Sequence, residues 1–203
     1  MKRDKTMFLI SIIFFSFSGF VAPLYGDPRI DEIREIYKHA TEMEKSDNVF
    51  FKHKVVFNTM MPAIGLQTTT MLFIYTADQT DPEEDPYLLE HRLRKIVVEY
   101  NIAGSVEYHI EYLYNDKALP VFFFWQEKFT DEEMTEEKRL YFHNKKLIKA
   151  IMNYTDMEGS KQKYTAASDF SKEDLSLAHY TIKKALDYRG LFELLISVEH
   201  WDK

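Results

Sequence analysis

The sequence predicts one α+β domain, an antiparallel β-meander sheet of about six or seven strands with an N-terminal helix and C-terminal helices packed on it. Three observations predict this class. Residues 106–125 alternate like the two strands of a hairpin, segments on both sides repeat that alternation, and helical periodicity is confined to the two ends of the chain. Strands that follow one another through short turns form a meander, and terminal helices are then left to cover its faces.

Residues 1–26 have the order of a secretory signal peptide. A basic start at 2–5 precedes an apolar run at 7–20, and Gly26 offers a small residue for cleavage. The run is shorter than the about 20 apolar residues that a permanent membrane anchor needs. We therefore expect a secreted or periplasmic protein whose mature single domain spans 27–203.

Composition excludes several classes of function. The chain has 33 acidic residues against 26 basic ones, a net charge of −7, and no cysteine. Loss of the predicted signal peptide would bring the net charge to −9, because that segment carries three basic residues and one acidic residue. An acidic chain without basic clusters argues against nucleic acid and anionic membranes as partners. Without cysteine there is no disulfide and no thiol chemistry, so packing of the many aromatic residues must hold the domain together.

The first mature residues predict a capped helix. Asp27 precedes a proline, and apolar residues then recur at helical spacing to about Lys45. Two strands follow at 49–59 and 66–76, rich in Phe, Val, Ile and Thr. Their connector, 60–65, is unusually apolar, so it either folds back onto the core or forms the rim of a binding site.

The central hairpin divides its residues between two faces of the sheet. The first, here called the tyrosine face, takes Val106, Tyr108, Ile110, Tyr112 and Tyr114. The second, here called the mixed face, takes Glu107, His109, Glu111 and Leu113. A two-residue turn at 116–117 pairs Tyr112 with Val121, so that Phe122 and Phe124 join the mixed face.

A strand at 92–101 precedes the hairpin and extends both faces. Through a three-residue loop it sets Lys95 opposite Glu111 and Glu99 opposite Glu107 on the mixed face. Before this strand, the acidic segment DQTDPEEDP lacks the glycine and the spacing of a calcium-binding EF-hand loop. We expect that segment to be a solvated loop.

The last third of the chain predicts two more strands and a helix. Strands at 138–143 and 147–151 flank a short turn, and the polar stretch 153–168 is typical of a loop. Ser171, followed by an acidic residue three positions later, indicates the capping box of a helix that Gly190 ends. The tail after Gly190 fits a short helix slightly better than a strand. The order of helix, meander and helix resembles cystatin-like and NTF2-like proteins in architecture alone, and architecture does not establish function.

The mixed face supports two hypotheses about function. Phe122 and Phe124 are costly to leave in water, at about 1.5 to 3 kcal/mol for each ring, so a helix, a partner or a ligand should cover them. The first hypothesis is a non-catalytic protein without a cofactor or metal, which binds an apolar or amphipathic ligand, or a protein partner, at Phe122, Phe124, His109 and Glu111.

The second hypothesis is a metal-dependent or acid/base hydrolase that uses Glu99, Glu107 and His109. Carboxylates and an imidazole on alternate strand positions suit a transition metal, and two opposed glutamates would repel and raise the pKa of one of them. The plain alternative is a solvated face on which Lys95 pairs with Glu111. No sequence motif of a known catalytic class supports the enzyme.

Overall fold

The computed structural model describes residues 27–46, 51–78, 90–130 and 134–199. In this part of the chain, eight antiparallel strands form one sheet in sequence order, with one helix on each face. The predicted α+β meander with terminal helices is confirmed, with one strand more than expected. The predicted signal peptide at 1–26 and most of the acidic loop that follows Asp78 lie outside the described residues.

The helices and strands are numbered here in chain order. In order they are α1 (Pro28–Lys45), β1 (Phe51–Met61), β2 (Gly65–Asp78), β3 (Glu90–Ile102), β4 (Val106–Tyr114), β5 (Pro120–Phe129), β6 (Met134–His143), β7 (Lys146–Thr155), β8 (Lys161–Ala166) and α2 (Lys172–Glu199).

Helix α1 begins where the sequence predicts and covers part of the mixed face. The Asp27 carboxylate accepts a hydrogen bond from the Arg29 backbone N–H at 3.0 Å, which satisfies a donor that has no partner within the helix. The buried side of α1 packs on Leu113 and Phe122 of the sheet. The residues in this contact are Ile30, Ile33 and Ala40, whereas Met43, also buried, packs on Ile74 and Val97.

Helix α2 covers the tyrosine face and is longer than predicted. Its capping box is confirmed, because the Ser171 hydroxyl accepts from the Asp174 N–H and the Asp174 carboxylate accepts from the Ser171 N–H, both at 3.0 Å. The predicted end at Gly190 is wrong. A glycine inside a helix costs about 1 kcal/mol relative to alanine, and burial of Phe192 two residues later, with 3% of its surface exposed, offsets that cost.

Strand β8 replaces part of the loop predicted at 153–168. The chain turns at 156–160, with Gly159 at a φ of +77°, and returns antiparallel to β7. Periodicity missed this strand because its first five side chains are all exposed and polar or amphipathic, so no apolar face marks it. Its lysines, Lys161 and Lys163, are typical of a sheet edge.

The predicted pairing of the central hairpin is wrong by two residues. Tyr112 pairs with Phe123 rather than with Val121. The turn is wider than two residues because the Asn115 side-chain oxygen accepts hydrogen bonds from backbone N–H groups within it, including that of Leu119 at 3.0 Å. Since side chains alternate with a period of two, the shift of two residues leaves His109, Tyr112 and Phe122 on their predicted faces. Val121 is the exception. It was predicted on the tyrosine face but packs with Leu113 on the side that α1 covers, because the pairing is irregular at Leu113 and Tyr114.

The predicted β3–β4 pairing is also wrong by two residues. Glu99 lies opposite His109 rather than opposite Glu107. The turn remains three residues long but lies at 103–105, one position later than predicted, with Ile102 paired to Val106 and with Ala103 and Gly104 at φ values of 53° and 74°. This correction changes which charged groups meet on the mixed face.

Candidate functional site

Two cavities lie over the centre of the sheet, one on each face. The cavity on the tyrosine face, between the sheet and α2, has a volume of about 440 Å³. The cavity on the mixed face, beyond the area that α1 covers, has a volume of about 370 Å³. Both volumes fall in the range of small-molecule sites, so the chemistry of the walls must decide between them.

Beside the mixed-face cavity, a buried lysine anchors a chain of ion pairs. Lys95 is 1% exposed, and its Nζ lies 2.7 Å from Glu111 Oε1 and 2.8 Å from Glu44 Oε2. Glu111 Oε1 also lies 3.1 Å from His109 Nε2, while His109 Nδ1 lies 3.2 Å from Glu99 Oε1. The expected Lys95–Glu111 pair therefore forms, although the two residues are diagonal rather than opposite in the sheet.

The pKa shifts in this network all favour the charged forms. Hydrogen bonding to Glu111 raises the pKa of His109 against the effect of burial. Burial acts to raise the pKa of Glu111, but His109 and Lys95 outweigh it and the pKa is lowered. Burial acts to lower the pKa of Lys95, but Glu111 and Glu44 outweigh it. A neutral imidazole donates from only one nitrogen, so both His109 contacts require the imidazolium form.

The four residues predicted to bind a ligand on the mixed face do not line its cavity together. Phe122 is buried under α1, with its ring 5.3 Å from that of Tyr37. Phe124 is half-buried, and its ring is 6.0 Å from that of His109. Glu111 belongs to the buried ion network, and of the four only His109 lines the cavity.

The residues of the enzyme hypothesis do share the mixed-face cavity, but their arrangement differs from the prediction. Glu99, Glu107 and His109 all line it. Glu107 lies opposite Asn101 and forms an ion pair with Lys128 at 3.6 Å, so the two glutamates are not opposed. Both ring nitrogens of His109 contact carboxylates. Among the described residues, no group of three or more acidic or histidine side chains could hold a metal ion.

The cavity on the tyrosine face is mainly aromatic. Its aromatic walls are Tyr100, Tyr112, Phe123, Trp125, Tyr180 and Tyr188. Aliphatic side chains complete the apolar lining: Val98, Ile110 and Leu177. The polar residues are Gln67, Thr69, Lys138 and Lys184.

Helix α2 closes this cavity because three of its residues fall on one face. Tyr180, Lys184 and Tyr188 are spaced by four, which places them on the same side of a helix. The Tyr114 hydroxyl donates to the Ala185 carbonyl at 2.7 Å, which ties α2 to the sheet. The ring of Tyr188 meets that of Tyr112 edge-on, with 5.4 Å between centroids.

The cavity holds four phenol hydroxyls, which are hydrogen-bond donors and belong to Tyr100, Tyr112, Tyr180 and Tyr188. Burial raises the pKa values of Tyr100, Tyr112 and Tyr188, and the electrostatic influence of neighbouring tyrosines, Tyr180 among them, raises them further. Within the described part of the chain, none of these four hydroxyls forms a hydrogen bond to the protein. These hydroxyls are therefore available to a bound molecule that supplies acceptors.

Sequence reasoning missed this cavity because it assigned the tyrosine face to the core. On the C-terminal helix, helical spacing predicts an apolar stripe that packs on the sheet, made of Leu175, Ala178, Ile182, Ala185 and Leu186. The available signal was the neighbouring stripe of Tyr180, Lys184 and Tyr188. A stripe of tyrosine and lysine beside an apolar one indicates a helix side that is amphipathic rather than fully buried.

No protein-family model matches this chain, and no curated protein or solved structure matches it either. In the ranges that the structure describes, neither helix is long and apolar enough to cross a membrane. The geometry and chemistry of the two cavities are therefore the basis for inferring function.

Proposed function

We propose that this protein is a secreted or periplasmic, non-catalytic binding protein for an apolar or amphipathic ligand, and that the ligand occupies the cavity on the tyrosine face. One observation carries the proposal: a cavity of about 440 Å³ walled by six aromatic side chains. Ligand sites are concave and mostly apolar, with a few polar groups that orient the ligand. The signal-peptide pattern of residues 1–26 supports the secreted location.

The walls of the two cavities favour the tyrosine face over the mixed face. The mixed-face cavity is lined by charged and amide side chains such as Glu99, Glu107 and Lys128. An apolar ligand gains about 25 cal/mol for each Å² of its surface that leaves water, and gains most against aromatic and aliphatic walls. Because α1 covers Phe122, the mixed face offers no comparable apolar wall.

Two neighbouring threonines on β2 allow a matched test. Thr69 lines the cavity on the tyrosine face, whereas Thr70 lines the cavity on the mixed face. Thr69→Trp should fill the first cavity and Thr70→Trp the second, with the same change in side-chain volume on the same strand. Leu177→Trp fills the first cavity from the side of α2 and covers the case in which Thr69→Trp does not fold.

The measurement is the binding of N-phenyl-1-naphthylamine, a neutral aromatic probe, followed by its fluorescence, with circular dichroism to verify the fold of each variant. The wild-type protein and Thr70→Trp should bind the probe equally. Thr69→Trp and Leu177→Trp should weaken binding by about tenfold or more, since a filled cavity removes about 1.4 kcal/mol or more of apolar contact. Absence of binding to the wild-type protein, or a loss confined to Thr70→Trp, would refute the proposal.

A further inference from the structure

The polar groups around the cavity on the tyrosine face are suited to a negatively charged ligand. Two of them, Lys138 and Lys184, are cations, and the four phenols are neutral donors. None of the described residues that line the cavity carries a carboxylate, although acidic residues outnumber basic ones in the chain. The donors are therefore gathered at a described wall where no carboxylate competes for them.

The two lysines differ in how far the protein already neutralises them. Lys138 pairs with Glu136 at 3.0 Å, and its Nζ lies 4.3 Å from the centre of the Trp125 ring. Lys184 contacts the Tyr180 ring at 5.8 Å and has no carboxylate within ion-pair distance in the described residues. The ammonium group of Lys184 is thus the cation whose charge a ligand could satisfy.

A second acidic group on the same face, Glu127, is also engaged. Glu127 accepts a hydrogen bond from the Tyr108 hydroxyl at 2.5 Å, beside the stacked rings of Tyr100 and Tyr108. Glu127 lies outside the cavity wall, on the strand that also carries Trp125. An anion inside the cavity would therefore meet Lys184 and the phenols rather than this carboxylate.

We propose that the ligand is an organic anion with an apolar body of a few rings. Its body lies against Tyr112, Phe123 and Trp125, and its charged oxygen group meets Lys184 and the phenol hydroxyls at the side of α2. This inference rests on the proposed function, because it specifies the chemistry of a ligand in the same cavity. Charge-assisted hydrogen bonds to an anion are about twice as strong as neutral ones, so the charge should contribute measurably to affinity.

A pair of probes with one skeleton separates the effect of charge from that of apolar contact. N-phenyl-1-naphthylamine is neutral, and 8-anilinonaphthalene-1-sulfonate adds one sulfonate to the same ring system. The wild-type protein should bind the sulfonate about tenfold more tightly than the neutral probe, because a hydrogen bond to a charged group contributes about 1.5 kcal/mol or more. The preference should diminish as salt is added, since part of it is electrostatic.

Lys184 variants then locate the charge. Lys184→Gln should weaken binding of the sulfonate about tenfold and leave the neutral probe unaffected, and Lys184→Arg should restore most of the sulfonate binding. Lys183→Gln is the matched control, because it removes the same charge from the next residue of α2, which does not line the cavity. It should leave both affinities unchanged.

The outcomes distinguish the two proposals. Equal affinity for the two probes in the wild-type protein, or equal losses in Lys184→Gln and Lys183→Gln, would overturn the anionic ligand and leave the aromatic site intact. If neither probe binds, the proposed function fails, and the anionic ligand fails with it.

Discussion

Replacing Lys95 by methionine is expected to lower the free energy of unfolding by about 3 kcal/mol. The substitution keeps most of the apolar stem of a side chain that is 1% exposed and removes its charge. Glu44, 29% exposed, can turn to water, but Glu111 cannot, because 8% of its side chain is exposed. Removing one partner of a buried pair costs about 3 to 5 kcal/mol, and the remaining contact with His109 places the expected loss at the lower end.

Urea unfolding at neutral pH, followed by circular dichroism, measures this loss. The double variant Lys95→Met/Glu111→Leu should recover most of it, because replacing a buried pair with apolar residues is often neutral or stabilising. Lys128→Met is the control. Its pair with Glu107 is more than half exposed on both sides and should contribute less than about 1 kcal/mol.

The pH dependence of the Lys95 effect has a definite sign. In the wild-type protein the pKa of Glu111 is lowered, so its contribution to stability is present above its unfolded pKa and is lost as the pH falls through the folded pKa. Without Lys95, burial is less opposed and the pKa of Glu111 rises. The variant should therefore regain stability relative to the wild-type protein in mild acid. Two results would refute the coupled buried pair. One is a loss of less than about 1 kcal/mol in Lys95→Met, and the other is a loss in the double variant equal to the sum of the losses in Lys95→Met and Glu111→Leu.

Two further predictions concern His109 and Gly190. His109→Gln should lower the free energy of unfolding at low pH. The pKa of His109 is raised, so its charged contacts with Glu99 and Glu111 stabilise the protein fully below the unfolded pKa of 6.5. That contribution is lost as the pH rises through the folded pKa. Unfolding measured from about pH 5 to about pH 9 checks this, and a difference that does not vary with pH would contradict it. Gly190→Ala should raise the free energy of unfolding by about 0.4 to 1 kcal/mol, because Gly190 is helical and an added Cβ meets no atom within 4 Å; a lower urea midpoint would contradict a continuous α2.

The faces of the sheet were predictable from sequence, whereas the pairing of the strands was not. Alternation with a period of two assigns Tyr112 and His109 to opposite faces without any knowledge of their neighbours. Register depends on the turn, which Asn115 widens through its side chain and which Arg189 of α2 supports by donating to the Ala118 carbonyl at 3.1 Å. A contact between residues 71 positions apart leaves no signal in a local pattern.

On the mixed face, too, alternation predicted which side chains share a face but not what packs against them. Lys95 and Glu111 were predicted to pair and do pair, because both lie on one face of neighbouring strands. Whether a helix, a partner or a ligand covers Phe122 could not be decided from alternation. Tyr37 of α1 covers it, and Tyr37 is 85 positions away in the chain.

By itself, the sequence determined where the two end helices begin, most of the strands and most of the side chains that share each face, because these depend on backbone periodicity and on caps within a few residues. Tertiary structure alone decided that α1 seals the aromatic part of the mixed face and that α2 encloses a cavity over the tyrosine face. The physical reason is that packing depends on which distant surfaces meet and how closely they fit. Tyr188 therefore helps to form a site only once α2 has brought it against Tyr112.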